Sequence, residues 1–140
     1  SGITTAGQFI IRFIEKKVNE YLNNVLKTHD EVDYIVASDT DSIYVRFGKL
    51  VEKTCQGKTT EQITDFLNKV CEQKLEPYIA KCFDELADYS NAFKNAMVSK
   101  LSSLAHLKFV VVKLKKQLKL SCQKNNLIYI SLLQTLKKSF

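Results

Sequence analysis

An α+β fold is what the sequence predicts, and three observations carry that expectation. Apolar residues recur at helical spacing over residues 5 to about 27 and again over about 60 to 90. Between these stretches, residues 32–38 and 42–47 are rich in β-branched and aromatic side chains and flank a short polar turn. The order helix, hairpin, long helix then gives the sheet an apolar helical face to pack on.

The first helix opens on Thr5-Ala6-Gly7-Gln8, which fits a capping box. Ile10, Phe13, Ile14, Tyr21, Leu22 and Val25 form its apolar stripe, while Arg12, Glu15, Lys16 and Glu20 fall on other faces. Residues 28–31 read as a polar connector. The hairpin follows, with Gly48 ending its second strand, and residues 48–59 read as a loop with one short helical turn. Thr59-Thr60-Glu61-Gln62 is a second capping-box pattern and opens the long helix. Pro77 lies inside that helix and predicts a kink, because proline lacks the backbone donor and crowds the carbonyl of Gln73. Beyond residue 91 the pattern weakens. Residues 107–114 read as a strand, and residues 127–136 fit either a strand or a helix.

Composition narrows the class. The 140 residues are 45% hydrophobic, enough for a core. Neither an 18-residue apolar run nor a basic-then-apolar leader is visible, so neither a membrane span nor a signal peptide is expected. Cys55, Cys71, Cys82 and Cys122 show no Cys-x-x-Cys spacing, which points to reduced thiols in a cytoplasmic setting rather than to zinc or disulfides. Charge is divided sharply. Residues 1–88 hold all 15 acids against 11 of the 21 basic residues, a net −4, and residues 89–140 hold the other 10 as lysines, a net +10. This asymmetry fits nucleic-acid binding, with Lys113, Lys115, Lys116 and Lys119 as candidate phosphate contacts beside the plainer reading of a solvated charge run.

The chemistry concentrates in the hairpin turn, Ala37-Ser38-Asp39-Thr40-Asp41-Ser42-Ile43-Tyr44-Val45. Side chains at i and i+2 of an extended chain share a face, about 6.5 Å apart at Cα. Asp39 and Asp41 can therefore approach one cation; the alternative is that Asp39 caps the turn and Asp41 is solvated.

Asp39-Thr40-Asp41-Ser42 followed by Ile43-Tyr44-Val45 resembles the third polymerase motif of family B DNA polymerases of the tailed-phage replicative type. Ile3-Thr4-Thr5-Ala6-Gly7-Gln8 with Glu15-Lys16-Lys17-Val18-Asn19-Glu20-Tyr21-Leu22-Asn23 resembles the preceding helix, and Asp65-Phe66-Leu67 with Leu75-Glu76-Pro77-Tyr78-Ile79 resembles the long palm helix that follows. The resemblance implies a partial polymerase palm over residues 1–98 and a divergent lysine-rich tail over residues 99–140. It implies a fragment of a template-directed DNA polymerase, a nucleotidyltransferase, with Asp41 as metal ligand and Asp39 as supporting acid in a two-metal Mg2+ site. Primer-template DNA and dNTP would be its partners, in the cytoplasm of a virus-infected host cell and away from any membrane. A further metal-binding aspartate and the basic residues that hold the triphosphate would lie upstream of Ser1, in the same gene or on a second polymerase chain. The chain alone would then be inactive.

The pattern departs from the family in two places. Ala37-Ser38 stands where Tyr-Gly is usual, and no Lys-Arg-Glu strand or Lys-Lys-Arg-Tyr motif follows Lys100. A disrupted reading frame or a natural gene break accounts for the second departure together with the change in composition. Two other classes remain open at this point: a non-catalytic nucleic-acid-binding module using the basic tail, and a helical interaction protein.

Overall fold

A computed structural model of the chain describes residues 5–29, 32–39, 41–88 and 104–132. Its elements run α1 (Thr5–Leu26), β1 (Ile35–Ser38), β2 (Ser42–Arg46), α2 (Gly48–Thr54), α3 (Thr60–Val70), a π-helical segment (Cys71–Leu75), α4 (Glu76–Asp88), α5 (Leu104–Gln117), β3 (Lys119–Cys122), a short 3-10 turn (Lys124–Asn126) and β4 (Leu127–Ser131). The fold is α+β as expected. Its sheet is larger than a hairpin: four antiparallel strands in the order β1-β2-β4-β3.

Helix α1 forms because its apolar residues fall on one line. Ile10, Ile14, Val18 and Leu22, each four residues from the next, are all fully buried. Its C-terminus turns through Lys27, whose φ of 56° is left-handed. Thr28 N–H donates to Asn23 O at 2.9 Å and Lys27 N–H to Asn24 O at 3.4 Å, the bond pattern of a Schellman end. A lysine in that conformation costs on the order of 1–2 kcal/mol. The Asn23 side chain offsets this cost by bonding both ends of the connector that follows, as described below.

The long helical stretch begins with the expected capping box: Gln62 N–H donates to Thr59 Oγ1 at 3.2 Å, and Thr59 N–H donates to Gln62 Oε1 at 3.0 Å. Directly before Pro77, where a kink is expected, the helix is π-helical over Cys71–Leu75, and Glu76 N–H reaches back five residues to Cys71 O. Widening the turn by one residue accommodates a position at which no proline N–H is available. Leu75, Ile79, Phe83 and Leu86 remain on one face across the segment and are all fully buried. Tyr78 fastens the stretch to α1: its hydroxyl donates to Lys17 O at 3.0 Å, and its ring lies 4.9 Å from that of Tyr21. Burial raises the Tyr78 phenol well above its ordinary range, with Cys82, Glu20 and Glu85 adding to the effect.

Two expectations are corrected, and one left open is decided in part. Residues 107–114 are not a strand but part of α5. The run Phe109-Val110-Val111-Val112 has strand propensity, yet Val111 and Leu114, three apart, enter the core while Phe109 and Val112 stay exposed. That is a helical division of faces, and packing against α4 overrides local preference. Gly48 does not end β2; it opens α2, whose Leu50 and Val51 are buried. Of residues 127–136, Leu127–Ser131 form a strand and residues 133–136 lie outside the described residues.

One continuous core joins all of this. It takes Ile10 to Leu22 of α1, Ile43 and Val45 of β2, Leu67 to Leu86 of the long stretch, and Val111, Leu114, Ile128, Ile130 and Leu132 of the lysine-rich segment. Among the described residues no helix is long and apolar enough to cross a membrane.

Candidate active site at the hairpin turn

The hairpin is positioned from α1 by two asparagines. Asn23, only 3% exposed, donates through Nδ2 to Asn19 O and to Val32 O, both at 2.8 Å. Its Oδ1 accepts from Val32 N–H at 3.2 Å and from the Thr28 hydroxyl. One side chain thus satisfies both backbone groups of Val32, as a neighbouring strand would. Asn19 Oδ1 accepts from Tyr34 N–H at 2.7 Å, and Asn19 Nδ2 donates to Asp33 Oδ1 at 2.9 Å. Residues 32–34 are laid against the helix in this way and hand the chain to β1.

Pairing then runs Ile35 to Val45, Ala37 to Tyr44 and Ser38 to Ile43, with an irregularity at Val36. The extra residue is a β-bulge, which bends and twists the strand toward its tip. Arg46 N–H donates to Tyr34 O at 2.8 Å at the open end, and Asp39 N–H donates to Ser42 O at 2.8 Å at the closed end.

Asp39 and Asp41 lie between β1 and β2, outside either strand. The two-residue period of an extended chain therefore does not govern them, and their surroundings differ: Asp39 is exposed, whereas Asp41 is 7% exposed. Asp41 is also braced from the far side, because its carbonyl accepts from Leu132 N–H at 2.8 Å, just past β4. No lysine or arginine among the described residues pairs with Asp41. Among the described residues no three His, Cys, Asp or Glu side chains converge as a metal centre. The two carboxylates nonetheless suit a hard divalent cation, since carboxylate oxygens are its preferred protein donors. Ala37 and Ser38, in the position where Tyr-Gly is usual, are exposed.

The four candidate lysines are spread over two elements. Lys113, Lys115 and Lys116 lie on α5, and Lys119 opens β3. Lys115 is already engaged, its Nζ 2.7 Å from Asp84 Oδ1 across the α4–α5 contact. Lys119 lies in the field of Glu76, where it works against burial and Glu72, which raise that carboxyl.

Sequence reasoning missed the second hairpin, β3–β4, which flanks β2, the strand that follows Asp41. The signal was Asn125-Asn126: both residues take a φ of 61°, a conformation asparagine tolerates better than most residues, and Gln123 N–H donates to Leu127 O at 2.7 Å to close the turn.

Sequence comparison places the chain among relatives of phage DNA polymerases. The chain is 42% identical over 99 residues to the DNA-directed DNA polymerase of Enterobacteria phage T4, covering 69% of this chain and 11% of that protein. It is 38% identical over 107 residues to the DNA-directed DNA polymerase of Escherichia phage RB69, covering 75% of this chain and 12% of that protein. The chain therefore spans about a tenth of the length of these curated relatives. No protein-family model and no solved structure matches it. The resemblance read from the Asp-Thr-Asp-Ser block is thus borne out by relatives of the expected kind.

Proposed function

We propose that this chain contributes part of the palm of a family B DNA polymerase, with Asp41 as a ligand to a catalytic Mg2+ ion and Asp39 as the supporting acid beside it. The observation that carries the reading is Asp41 itself: a largely buried aspartate at a turn braced by both neighbouring strands, in a chain 42% identical over 99 residues to part of a phage polymerase. A ligand on a fixed turn loses little freedom on binding, which is what a metal site needs of its scaffold. An Mg2+ ion held there would supply Lewis acidity toward a primer 3′-hydroxyl and a leaving pyrophosphate.

The chain's own residues do the positioning. Leu132 N–H holds the Asp41 carbonyl, Asp39 N–H closes the turn, and Asn19 and Asn23 fix the strand that leads into it. In this reading primer-template DNA and dNTP are the substrates, and the setting is the cytoplasm of the infected host cell. Other metal-binding and triphosphate-holding residues come from elsewhere in a longer polymerase or from a second chain, so the 140 residues alone do not polymerise.

The test uses Mn2+ as a paramagnetic probe. Amide signals of Asp41, Ser42 and Ile43 broaden first on titration, and Asp41→Asn removes that selectivity. Uniform broadening in the wild-type chain refutes Asp41 as a ligand. Primer extension by the purified chain, abolished by Asp41→Ala, overturns the expectation that it is inactive alone.

A further inference from the structure

Long-range packing brings two of the four cysteines together. Across β3 and β4, Cys122 is paired with Ile128 and Leu120 with Ile130. Residues directly opposite in an antiparallel pair share a face, and Ile128 and Ile130 are fully buried. Leu120 and Cys122 accordingly pack against the core. Cys71, buried at the start of the π-helical segment, is part of that core. β3 touches both α3 and the π-helical segment. Strand and segment run side by side: Lys119 lies in the field of Glu76 at one end, and Cys122 in the field of Cys71 at the other.

The two thiols differ in access. Cys71 is buried, whereas Cys122 is half-buried and borders a groove of about 470 Å3 between the start of α3 and the β3–β4 turn. Thr60, Thr64 and Gln123 also line this groove. The Cys122 thiol donates to the Gln123 carbonyl at 3.6 Å, a weak bond that is easily given up. Cys82 is no rival partner for Cys71. It follows by eleven residues on the same helical run, roughly 16 Å along the axis. A disulfide needs Cα atoms within about 7 Å.

We propose that Cys71 and Cys122 form a redox-sensitive pair, reduced at rest and joined as a disulfide by a small-molecule disulfide such as oxidised glutathione, which enters at Cys122. Cys122 loses its proton and attacks one sulfur of the oxidant, whose other half leaves as a thiolate and takes up a proton. Cys71 then loses its proton and attacks the Cys122 sulfur, and the second glutathione leaves in the same way. Two cysteine thiols are oxidised, and one glutathione disulfide is reduced to two thiols. Burial holds both cysteine thiols above their ordinary range, so the exchange is slow and needs a persistent oxidant. The new bond closes a loop of about 50 residues, which stabilises the fold chiefly by restricting the unfolded chain. It ties the long helical stretch to β3, and through the sheet to β4, next to Leu132, whose N–H braces the Asp41 carbonyl. None of this depends on Asp41 holding a cation.

Cleavage after lysine puts the four cysteines in four different peptides, with Cys71 in residues 70–74 and Cys122 in residues 120–124. The native 140-residue chain is held with oxidised glutathione to equilibrium, blocked with iodoacetamide in urea, digested with trypsin and mapped by mass spectrometry without reduction. The expected product joins the 70–74 peptide to the 120–124 peptide, with Cys55 and Cys82 alkylated. The same oxidant acting on the chain in urea is expected to scatter the pairings. Oxidation of the native chain is expected to raise its urea midpoint by about 1–2 M, a gain that dithiothreitol reverses and Cys122→Ser abolishes. If Cys122→Ser does not fold, the peptide map and the reversal by dithiothreitol decide the matter alone. The proposal is overturned by glutathione left on Cys122 with Cys71 free, by a bond from either cysteine to Cys55 or Cys82, by a bond between two chains, or by four free thiols in the native chain at equilibrium.

Discussion

Replacing Asn23 with alanine tests whether the hairpin is held in place by the end of α1. Four hydrogen bonds converge on this side chain, from Val32 N–H and the Thr28 hydroxyl and to Asn19 O and Val32 O. Each contributes about 1 kcal/mol net, and a buried group left without a partner costs about 1–3 kcal/mol. Val32 and Thr28 are only half-buried, so water recovers part of the loss, and the expected destabilisation is about 2–4 kcal/mol. Against a typical domain stability of about 5–15 kcal/mol this is a large fraction. With a urea dependence of about 1–3 kcal/mol/M, the midpoint should fall by about 1–2 M. Urea titrations followed by far-UV circular dichroism give the number. Amide exchange at Arg46, whose N–H is bonded to Tyr34 O beside the same network, should quicken in parallel. The neighbouring Asn24 side chain is exposed, and Asn24→Ala should shift stability by less than about 0.5 kcal/mol. An Asn23→Ala chain within about 0.5 kcal/mol of wild type would falsify the argument that this asparagine anchors the strand.

Four further outcomes follow from the packing and the titrating groups. Ile130, fully buried on β4, should cost about 2–5 kcal/mol when cut to alanine, whereas an undocked segment would register no change in a melting curve. Burial pushes the Cys71 thiol from an ordinary 9.0 up to about 12, with Cys122 and Glu76 adding to the effect, so at pH 8 its thiolate population is about a thousandfold below that of an ordinary thiol. Iodoacetamide should therefore label Cys71 only after denaturation, and fast labelling of the native chain would contradict its placement. The same shift sets a pH dependence: the unfolded chain releases this proton near pH 9 and the folded chain retains it to about pH 12, so stability is steady below about pH 9 and falls as pH rises toward 12, which urea midpoints across that range will show. Lys115→Ala removes an exposed pair with Asp84 and should cost less than about 1 kcal/mol, with the small effect fading at high salt.

Local rules made much of this protein legible from its sequence. The α1 stripe, the Thr59–Gln62 capping box, the disturbance ahead of Pro77 and the strands around Asp39 and Asp41 all depend on residues within a few positions of one another, and such signals survive in one dimension. The resemblance to phage DNA polymerases was legible for the same reason, because Asp-Thr-Asp-Ser between two strands is a contiguous pattern. The structure decided what depends on distant partners. Phe109 to Val112 carry strand propensity, but a helical division of faces against α4 sets their conformation. Lys115 sits in a lysine run by sequence and in an ion pair with Asp84, thirty-one residues away, in space. The different burial of Asp39 and Asp41 depends on where β1 stops and β2 begins, and on a bond from Leu132 to the Asp41 carbonyl that no local pattern announces. Sheet order is the furthest from local reading. That β4 lies beside β2 is a choice among long-range pairings, settled by burying Ile128 and Ile130 in the same core as Ile43 and Val45.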